Sequence, residues 1–148
     1  MYDLVGGEIL LKHQNDPANY SNACALRCSR ALNYSQNTIE EFILNGIPIT
    51  KKGSDNKNYI LSAKAFNIYM NKTYGAPTSR LEVTSTTTFQ DMVNFLISKS
   101  GIYSMVTKDR DKAGFTGHAD LIYNGQVLAG PNLDARGGIN FIEIWELN

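Results

Sequence analysis

The hydrophobic pattern of the chain changes its period near Gly101, and this change constrains the fold more than any other feature. Before Gly101 the apolar residues recur at helical spacing, whereas after it they alternate or run together as they do in β-strands. Helices followed by an antiparallel sheet are typical of an α+β fold. No repeat, low-complexity run or linker divides the chain, so we expect a single domain over residues 1–148.

Polar residues with capping potential mark the first predicted helices. Ser21 or Asn22 can cap a helix over residues 23–32, which would end near Asn33. A capping-box spacing then predicts a short helix over residues 38–44. The helical half of the domain therefore begins well before residue 50.

Two further helices are predicted before the change of period. Ser62 can cap a helix that ends at Gly75, and Thr88 precedes apolar residues at helical spacing up to Leu96. The polar stretch around His13 has no such pattern, so we expect a solvated loop there.

The second half of the chain is predicted to form an antiparallel sheet. Asn124-Gly125 is a strong signal for a hairpin turn, and residues 108–117 read as a charged, glycine-bearing loop. The last strand is apolar enough for a central or doubly covered position. The predicted strands are Ile102–Val106, His118–Tyr123, Gln126–Ala129 and Ile139–Glu146.

The charge balance limits the classes of partner. Lysine and arginine together number 14, as do aspartate and glutamate, which gives a formal net charge of zero. Proteins that bind nucleic acids or anionic membranes through a diffuse field usually carry excess positive charge. We therefore expect no nucleic-acid partner and no membrane partner. The first residues lack a basic segment and Ile9–Leu11 is short, so we expect a soluble protein outside the general secretory route.

The two cysteines, Cys24 and Cys28, have no spacing typical of a zinc site. The chain also lacks the short motifs of zincins, serine hydrolases and nucleotide-binding proteins. We therefore expect no metal and no cofactor. On one helix their Cβ atoms would lie about 5–6 Å apart, whereas a disulfide needs about 3.8 Å, so no bond between them is expected.

Cys24 is the candidate nucleophile because it falls in the first turn of its helix. Unpaired backbone N–H groups and the helix dipole favour a thiolate at that position. Cys28 lies one turn deeper, outside that field, and we expect it to pack in the core as free cysteines usually do. An isolated buried cysteine is more often structural than catalytic, so the interpretation of Cys24 depends on a base.

His118 is the candidate base. It opens a strand directly after Gly117, where glycine allows another segment of the chain to approach closely. Alone, a histidine at the start of a strand is as often structural as catalytic. A helix-start cysteine followed far downstream by a strand-start histidine, however, is the arrangement that forms a Cys–His pair in papain-like folds.

Three separated motifs carry a resemblance to a known family. They are NACALRCSRALN at 22–33, GSDNKNYI at 53–60 and GHADLIYNG at 117–125. In this order, and over nearly the whole chain, they resemble the amidase effectors of the type VI secretion system, specifically the fourth family. A departure lies just before Asn124-Gly125, where the family often has a tryptophan and this chain has Ile122-Tyr123.

The resemblance implies a fold, an activity and a setting. It implies an NlpC-like, papain-like core in which the helix with Cys24 packs on the antiparallel sheet with His118. Cys24 would be the nucleophile and His118 the base of a peptidoglycan amidase that cleaves the amide between D-glutamate and meso-diaminopimelate. Such a toxin is made in the cytoplasm and delivered by the type VI apparatus into the periplasm of target bacteria. Its partners would be peptidoglycan stem peptides and a cognate periplasmic immunity protein.

Three other functions remain open at this point. A housekeeping cell-wall endopeptidase or a papain-like acyltransferase would use the same cysteine chemistry on another amide. A non-catalytic binding module would keep the fold without the reaction. The lack of a secretory signal disfavours the housekeeping enzyme, which must reach the periplasm on its own.

The residue that orients His118 is not determined by the motifs, and Asn132, Asp134 and Asp120 compete for this role. A three-residue loop after Tyr123 would place Asn132 opposite His118 on the next strand. We therefore predict Asn132, with Asp134 second. Asp120 ranks third because it lies about 7 Å along the same strand.

Three further features bear on the site. The backbone N–H of Cys24 is the predicted oxyanion donor. Lys108, Arg110 and Lys112 could meet the carboxylates of a stem peptide, although mixed-charge runs are more often solvated loops. Asp55 is expected first to structure a turn and only second to contact substrate.

Overall fold

A five-stranded antiparallel sheet forms the centre of the computed structural model, which describes residues 1–20 and 22–146. The strands are β1 (Ile43–Leu44), β2 (Ile47–Pro48), β3 (Lys51–Lys52), β4 (Asn58–Tyr59), β5 (Ser79–Glu82), β6 (Gly101–Thr107), β7 (Gly117–Tyr123), β8 (Gln126–Val127) and β9 (Ile139–Glu146). The helices are α1 (Tyr2–Val5), α2 (Gly7–Asn15), α3 (Cys24–Tyr34), α4 (Ala63–Tyr74), α5 (Phe89–Leu96) and α6 (Arg110–Ala113). The predicted α+β fold is confirmed.

The order of strands in the large sheet is β5-β9-β6-β7-β8. Strand β9 lies between β5 and β6, which confirms the central position predicted from its apolar sequence. The edge strand β5 was not predicted, because its alternating polar residues carry no strong strand signal. Helices pack on both faces of the sheet, so the interior strands are buried on two sides.

The helix that carries Cys24 lies against the sheet that carries His118. Helix α3 packs on β7, and α4 packs on β6 and β7. The core on this side of the sheet is continuous from the helices to the strands. Its buried members include Cys24, Ala25, Cys28, Phe66, Met70, Ile102, Ala119 and Trp145.

Helices α4 and α5 both begin with a side-chain cap, of which the one at Ser62 was predicted from the sequence. The Ser62 hydroxyl accepts a hydrogen bond from the Ala65 N–H at 3.3 Å, and α4 ends at Gly75. Thr88 and Asp91 form a capping box at the start of α5. Each cap satisfies backbone N–H groups that the first helical turn leaves unpaired.

The short helix predicted over residues 38–44 is wrong. Strands β1 and β2 form a hairpin there, with Asn45 at φ 51° and Gly46 at φ 77° in its two-residue turn. In the predicted helix, the Ile39 N–H would be one of the unpaired groups of the first turn. Here it donates to the Asn33 carboxamide oxygen at 2.8 Å. Burial of Ile39 in the core adds to this tertiary contact and overrides the local helical signal.

The solvated loop predicted around His13 is also wrong. His13 lies in α2, half-buried, with its ring stacked on Tyr2 at a centroid distance of 4.1 Å. Its Nδ1 atom lies 2.9 Å from the Tyr20 carbonyl oxygen. These contacts make His13 a packing residue that joins the two N-terminal helices to the segment before Cys24.

The N-terminal helices dock on the loop between β3 and β4. Gly7 has φ 62°, and a Cβ atom there would lie 2.7 Å from the Gly53 carbonyl carbon. Only glycine allows this close approach without displacing the loop. The Ser54 backbone N–H donates to the Val5 carbonyl oxygen at 2.9 Å, which closes the contact.

The hairpin after β7 is shorter than predicted. Tyr123 pairs with Gln126, so the turn has two residues, Asn124 at φ 47° and Gly125 at φ 82°. Two successive residues with positive φ are typical of the hairpin turn that Asn-Gly favours. The three-residue loop that would have paired Tyr123 with Val127 is therefore wrong, and β8 ends at Val127 rather than Ala129.

No helix within residues 1–20 and 22–146 has the length and the apolar character needed to cross a membrane.

Candidate active site

Cys24 is the first residue of α3 and is almost completely buried, with 3% of its surface exposed. The helix begins one residue later than predicted, with Ala23 rather than Asn22 at its N-cap position, and the Cys24 backbone N–H donates to the Asn22 carboxamide oxygen at 3.1 Å. Ser21, the other predicted cap, lies outside the described residues. The N–H that was expected to serve as the oxyanion donor is thus already bound to a side chain.

The thiol of Cys24 meets the edge of strand β7. Within the described chain, β8 pairs only with Ile122 and Tyr123, which leaves the earlier part of that edge open to α3. Cys24 and Ala119 lie in the same buried core, which joins α3 to β7. The thiol therefore lies beside the residue that directly follows His118.

Burial raises the pKa of the Cys24 thiol above its ordinary value. The N–H groups of Ala119 and Ala25 and the charge of Arg27 act in the opposite direction but do not cancel the effect of burial. The expected preference for the thiolate at the helix start is therefore outweighed by desolvation. The Cys24 thiol is therefore neutral at rest and would need a base to act as a nucleophile.

His118 and Asp120 form a buried pair on the same face of β7. His118 Nε2 lies 3.0 Å from Asp120 Oδ2, and the two residues are 4% and 7% exposed. Alternate residues of a strand project from the same face, which brings the two side chains together. Burial strengthens this hydrogen bond because water cannot compete for either partner.

Main-chain N–H groups hold the Asp120 carboxylate in place. Asp120 Oδ1 accepts from the Leu121 N–H at 2.8 Å, and Oδ2 accepts from the Ala129 N–H at 2.8 Å. With His118, the carboxylate has three partners and little freedom to rotate. Such a fixed acceptor can in turn fix the orientation of the imidazole ring.

The prediction that Asn132 orients His118 is wrong in this structure. Asn132 is exposed, has φ 54°, and lies in a turn after β8, where its carbonyl oxygen accepts from the Ala135 N–H. Because β8 ends at Val127, the chain turns away before any residue comes opposite His118 on that side. Asp134, ranked second, is also exposed in this turn, and the residue ranked third, Asp120, is the partner.

The hydrogen bond to Asp120 determines the tautomer of His118. A carboxylate oxygen can only accept, so Nε2 carries the shared proton and the Nδ1 atom of a neutral ring keeps a lone pair. Burial lowers the pKa of His118 below its ordinary value, although Asp120 acts to raise it. His118 is therefore neutral near pH 7, with Nδ1 as its basic nitrogen.

Tyr103 supports the His118 ring and was missed by sequence reasoning. It faces Asp120 across the β6-β7 pair, and its ring centroid lies 6.1 Å from that of His118. The Tyr103 hydroxyl donates to the Pro131 carbonyl oxygen at 2.6 Å, which ties the turn after β8 to the sheet. The only available signal was its position on a strand next to the one with His118.

A cleft of about 360 Å³ opens beside Cys24. One wall comes from residues 18–20 and Asn22, a second from residues 61–63, and a third from Arg110 and the segment that connects α6 to β7 and ends at Gly117, next to His118. Of the three basic residues of loop 108–117, Arg110 lines the cleft, whereas Lys108 and Lys112 do not. The loop around α6 is therefore part of the site rather than only a solvated turn.

Cys28 and Asp55 have the structural roles expected of them. Cys28 is buried in the core beneath the site, and both cysteines are free thiols. Burial raises the pKa of Cys28 well above its ordinary value, so this thiol stays protonated. Asp55 Oδ1 accepts from the Lys57 N–H at 3.0 Å, which confirms the predicted turn, and Oδ2 accepts from the Tyr59 hydroxyl at 2.6 Å.

In the part of the chain that the structure describes, no group of three or more His, Cys, Asp or Glu side chains is arranged to hold a metal ion.

The sequence and the fold both match known amidase effectors. Residues 20–145 match the family described as type VI secretion system (T6SS), amidase effector protein 4. No curated protein sequence matches the chain.

Solved structures of effectors named Tae4 share the fold. The effector of a Salmonella typhimurium Tae4/Tai4 effector-immunity system is 21% identical with a TM-score of 0.75, over 99% of this chain and 86% of that chain. Salmonella typhimurium Tae4, in complex with the immunity protein Tai4 from Enterobacter cloacae, is 22% identical with a TM-score of 0.72, over 99% and 87% of the two chains.

Enterobacter cloacae Tae4 is 23% identical with a TM-score of 0.71, over 99% of this chain and 84% of that chain. At these identities the likeness establishes the fold alone, whereas the family match extends over most of the sequence. The chain therefore belongs to the type VI secretion system amidase effector protein 4 family.

Proposed function

We propose that the protein hydrolyses the amide between D-glutamate and meso-diaminopimelate in peptidoglycan stem peptides, with Cys24 as nucleophile and His118 as general base. The observation that carries this proposal is that the buried Cys24 thiol packs against β7, the strand that carries the buried His118–Asp120 pair, beside an open cleft. Asp120 acts through His118 as a positioning residue. Membership of an amidase effector family agrees with this chemistry.

The first half of the reaction forms a thioester. Nδ1 of neutral His118 takes the proton of the Cys24 thiol as the sulfur attacks the amide carbonyl carbon. The tetrahedral intermediate then collapses, and the imidazolium gives its proton to the departing amine. Asp120 stabilises the transient positive charge on His118 without leaving its three partners.

The developing oxyanion needs a hydrogen-bond donor at the start of α3. The Cys24 N–H points to Asn22 Oδ1, which lies in the cleft wall. In our proposal the oxyanion replaces this carboxamide oxygen as the acceptor when substrate binds. A donor that exchanges one oxygen for another loses no hydrogen bond in the process.

The second half of the reaction releases the acid. Water enters after the amine leaves, and His118 removes a proton from it as it attacks the thioester carbonyl. The Cys24 sulfur departs and regains its proton from the imidazolium. The products are a free carboxylate on D-glutamate and a free amine on diaminopimelate, with the enzyme returned to its starting state.

The proposed setting is competition between bacteria. We propose that the protein is made in the cytoplasm, engages the type VI secretion apparatus and acts as an antibacterial toxin in the periplasm of a target cell. Expression with and without an added secretory signal tests this proposal. Lysis only with the signal is the expected result, and equal toxicity in the cytoplasm would point to a different target.

We also propose a cognate periplasmic immunity protein as a partner. The Salmonella typhimurium and Enterobacter cloacae effectors were solved in complexes with immunity proteins named Tai4. Co-expression of the cognate immunity protein in the periplasm should protect cells from the exported toxin. Survival that does not depend on complex formation would contradict the proposal.

Mass spectrometry of muropeptides from purified sacculi tests the reaction itself. Wild type should convert intact stem peptides to fragments that end in D-glutamate, and Cys24→Ala should not. Cleavage at another amide would indicate a different endopeptidase, and transfer to an added amine would indicate an acyltransferase. Binding to sacculi without any new fragment would indicate a non-catalytic module.

A further inference from the structure

The cleft beside Cys24 carries a single positive charge. Among the described residues that line it, Arg110 is the only one with a charged side chain, and the others are apolar, polar or glycine. The site therefore has no carboxylate at its wall to repel an anionic ligand. A lone guanidinium in such a cleft favours a substrate with a carboxylate of its own.

Arg110 has no carboxylate partner within residues 1–20 and 22–146. Within its loop, Lys112 and Asp109 pair with each other, since Lys112 Nζ lies 3.7 Å from Asp109 Oδ2. The described ion pairs elsewhere in the chain involve Arg80 and His118, not Arg110. The guanidinium of Arg110 is exposed and available to a ligand.

The loop that carries Arg110 is fixed to the rest of the domain. At its start, the Lys108 N–H donates to the Gly138 carbonyl oxygen at 3.0 Å. At its end, the Thr107 hydroxyl donates to the Phe115 carbonyl oxygen at 2.9 Å, and Thr116 Oγ1 accepts from the Lys64 N–H at 3.4 Å. These contacts hold the loop on either side of Arg110, so little backbone entropy is lost when a ligand binds.

We propose that Arg110 binds a free carboxylate of the stem peptide and thereby sets the scissile amide against Cys24. The inference rests on the proposed function, because a stem peptide carries free carboxylates on both the D-glutamate and the diaminopimelate side of that amide. A guanidinium can bind a carboxylate through two parallel hydrogen bonds, which gives orientation as well as affinity. Lys108 and Lys112 lie outside the cleft lining and do not share this role.

The test compares a stem peptide with two analogues, in which either the D-glutamate carboxylate or the diaminopimelate carboxylates are converted to carboxamides. Each is assayed with wild type, Arg110→Gln, Arg110→Lys and the matched control Lys112→Gln. Loss of a charged hydrogen bond predicts that Arg110→Gln lowers kcat/KM for the unmodified peptide about 10- to 100-fold, mainly through KM. The kcat/KM of Arg110→Lys should lie between the values for wild type and Arg110→Gln, and that of Lys112→Gln should match wild type.

The analogues make the inference specific. Wild type should cleave one of the two carboxamide analogues as slowly as Arg110→Gln cleaves the unmodified peptide. Arg110→Gln should cleave that analogue and the unmodified peptide at the same rate. If Arg110→Gln lowers kcat/KM equally for all three peptides, or if Lys112→Gln lowers it as much as Arg110→Gln does, the role of Arg110 is overturned. The proposed amidase activity would still stand. A wild-type protein that cleaves none of the peptides would overturn both proposals.

Discussion

Asp120 Oδ2 lies 3.0 Å from His118 Nε2 across a single intervening residue of β7, and each Asp120 carboxylate oxygen also accepts from a main-chain N–H group. A pair so close in sequence moves with one strand and does not depend on the packing of two elements. The geometry of the His118–Asp120 pair is therefore a local property of β7. The hairpin partner β8 contributes only the Ala129 N–H that follows it.

Asp120→Asn should lower kcat by a factor on the order of 10² to 10⁴, because an amide does not stabilise the imidazolium or enforce one tautomer. Asn132→Ala is the matched control and should retain activity, since Asn132 is exposed in the turn after β8. Steady-state kinetics and a pH profile of kcat should be measured for both variants. A shifted profile is expected only for Asp120→Asn, and a larger loss from Asn132→Ala would contradict the assignment.

Cys24→Ala should abolish hydrolysis, because in the proposed reaction the sulfur is the atom that attacks the amide. Cys28→Ala should keep most of the activity and cost about 1 kcal/mol of stability, since it removes one buried atom from the core. Muropeptide release and circular dichroism should be measured for both. Similar loss of activity from two folded variants would show that the nucleophile has been misassigned.

The pH profile of kcat/KM should be that of a free protein in which the Cys24 thiol and the His118 imidazole are both neutral. Burial lowers the pKa of His118 and raises that of Cys24. Protonation of His118 should therefore limit the rate only below about 6.5, the ordinary histidine value, and ionisation of Cys24 only above about 8.5. A preformed thiolate–imidazolium pair would instead place the acidic limb several units lower.

That profile should be recorded with a soluble stem peptide over the whole range in which the protein stays folded. His118→Gln has no titrating ring and should lose both activity and the acidic limb. An acidic limb that persists in its residual activity would assign that limb to another group.

Asn22→Asp should reduce kcat more than Asn22→Ala, although it should be the more stable variant. Aspartate retains an acceptor for the Cys24 N–H, but its charge opposes the oxyanion that must take the same donor. Asn22→Ala frees the donor and should cost about 1 kcal/mol for one lost hydrogen bond. Urea denaturation and kcat separate the two effects, and an unchanged kcat in Asn22→Asp would exclude the Cys24 N–H as oxyanion donor.

Glu143 should contribute strongly to stability although it takes no part in the reaction. It is 1% exposed, with Oε1 accepting from the Asn67 carboxamide at 2.9 Å and Oε2 lying 3.0 Å from Arg80 Nη1. Arg80→Met leaves a buried carboxylate without its cation and should cost about 2 kcal/mol or more by urea denaturation. The control Glu82→Gln removes the exposed partner of Arg80 and should cost under about 1 kcal/mol.

Sequence patterns predict the elements whose local signals agree with their packing. The caps at Ser62 and Thr88 place α4 and α5, and the apolar runs place β6, β7 and β9. The position of Cys24 at the start of a helix also follows from the local sequence. These features depend on residues within a few positions of each other, so no tertiary information is needed.

The remaining features depend on contacts between distant parts of the chain. The hairpin at 43–48 forms because Asn33 and the core bind Ile39, and no pattern within residues 38–44 reveals that contact. The position of His13 depends in the same way on its contacts with Tyr2 and Tyr20. Asn132 was wrongly predicted as the partner of His118 because the hairpin loop was taken to have three residues, whereas it has two.

The attachment of Asp120 to the main chain has a consequence for how sequences of this kind can diverge. Ala129 contributes its N–H and not its side chain, which is exposed. Selection at this position therefore acts on the path of the backbone and hardly on the identity of the residue. Proline is the exception, since it has no N–H to donate. A position that is indispensable to the site can thus look unconstrained when sequences are compared letter by letter.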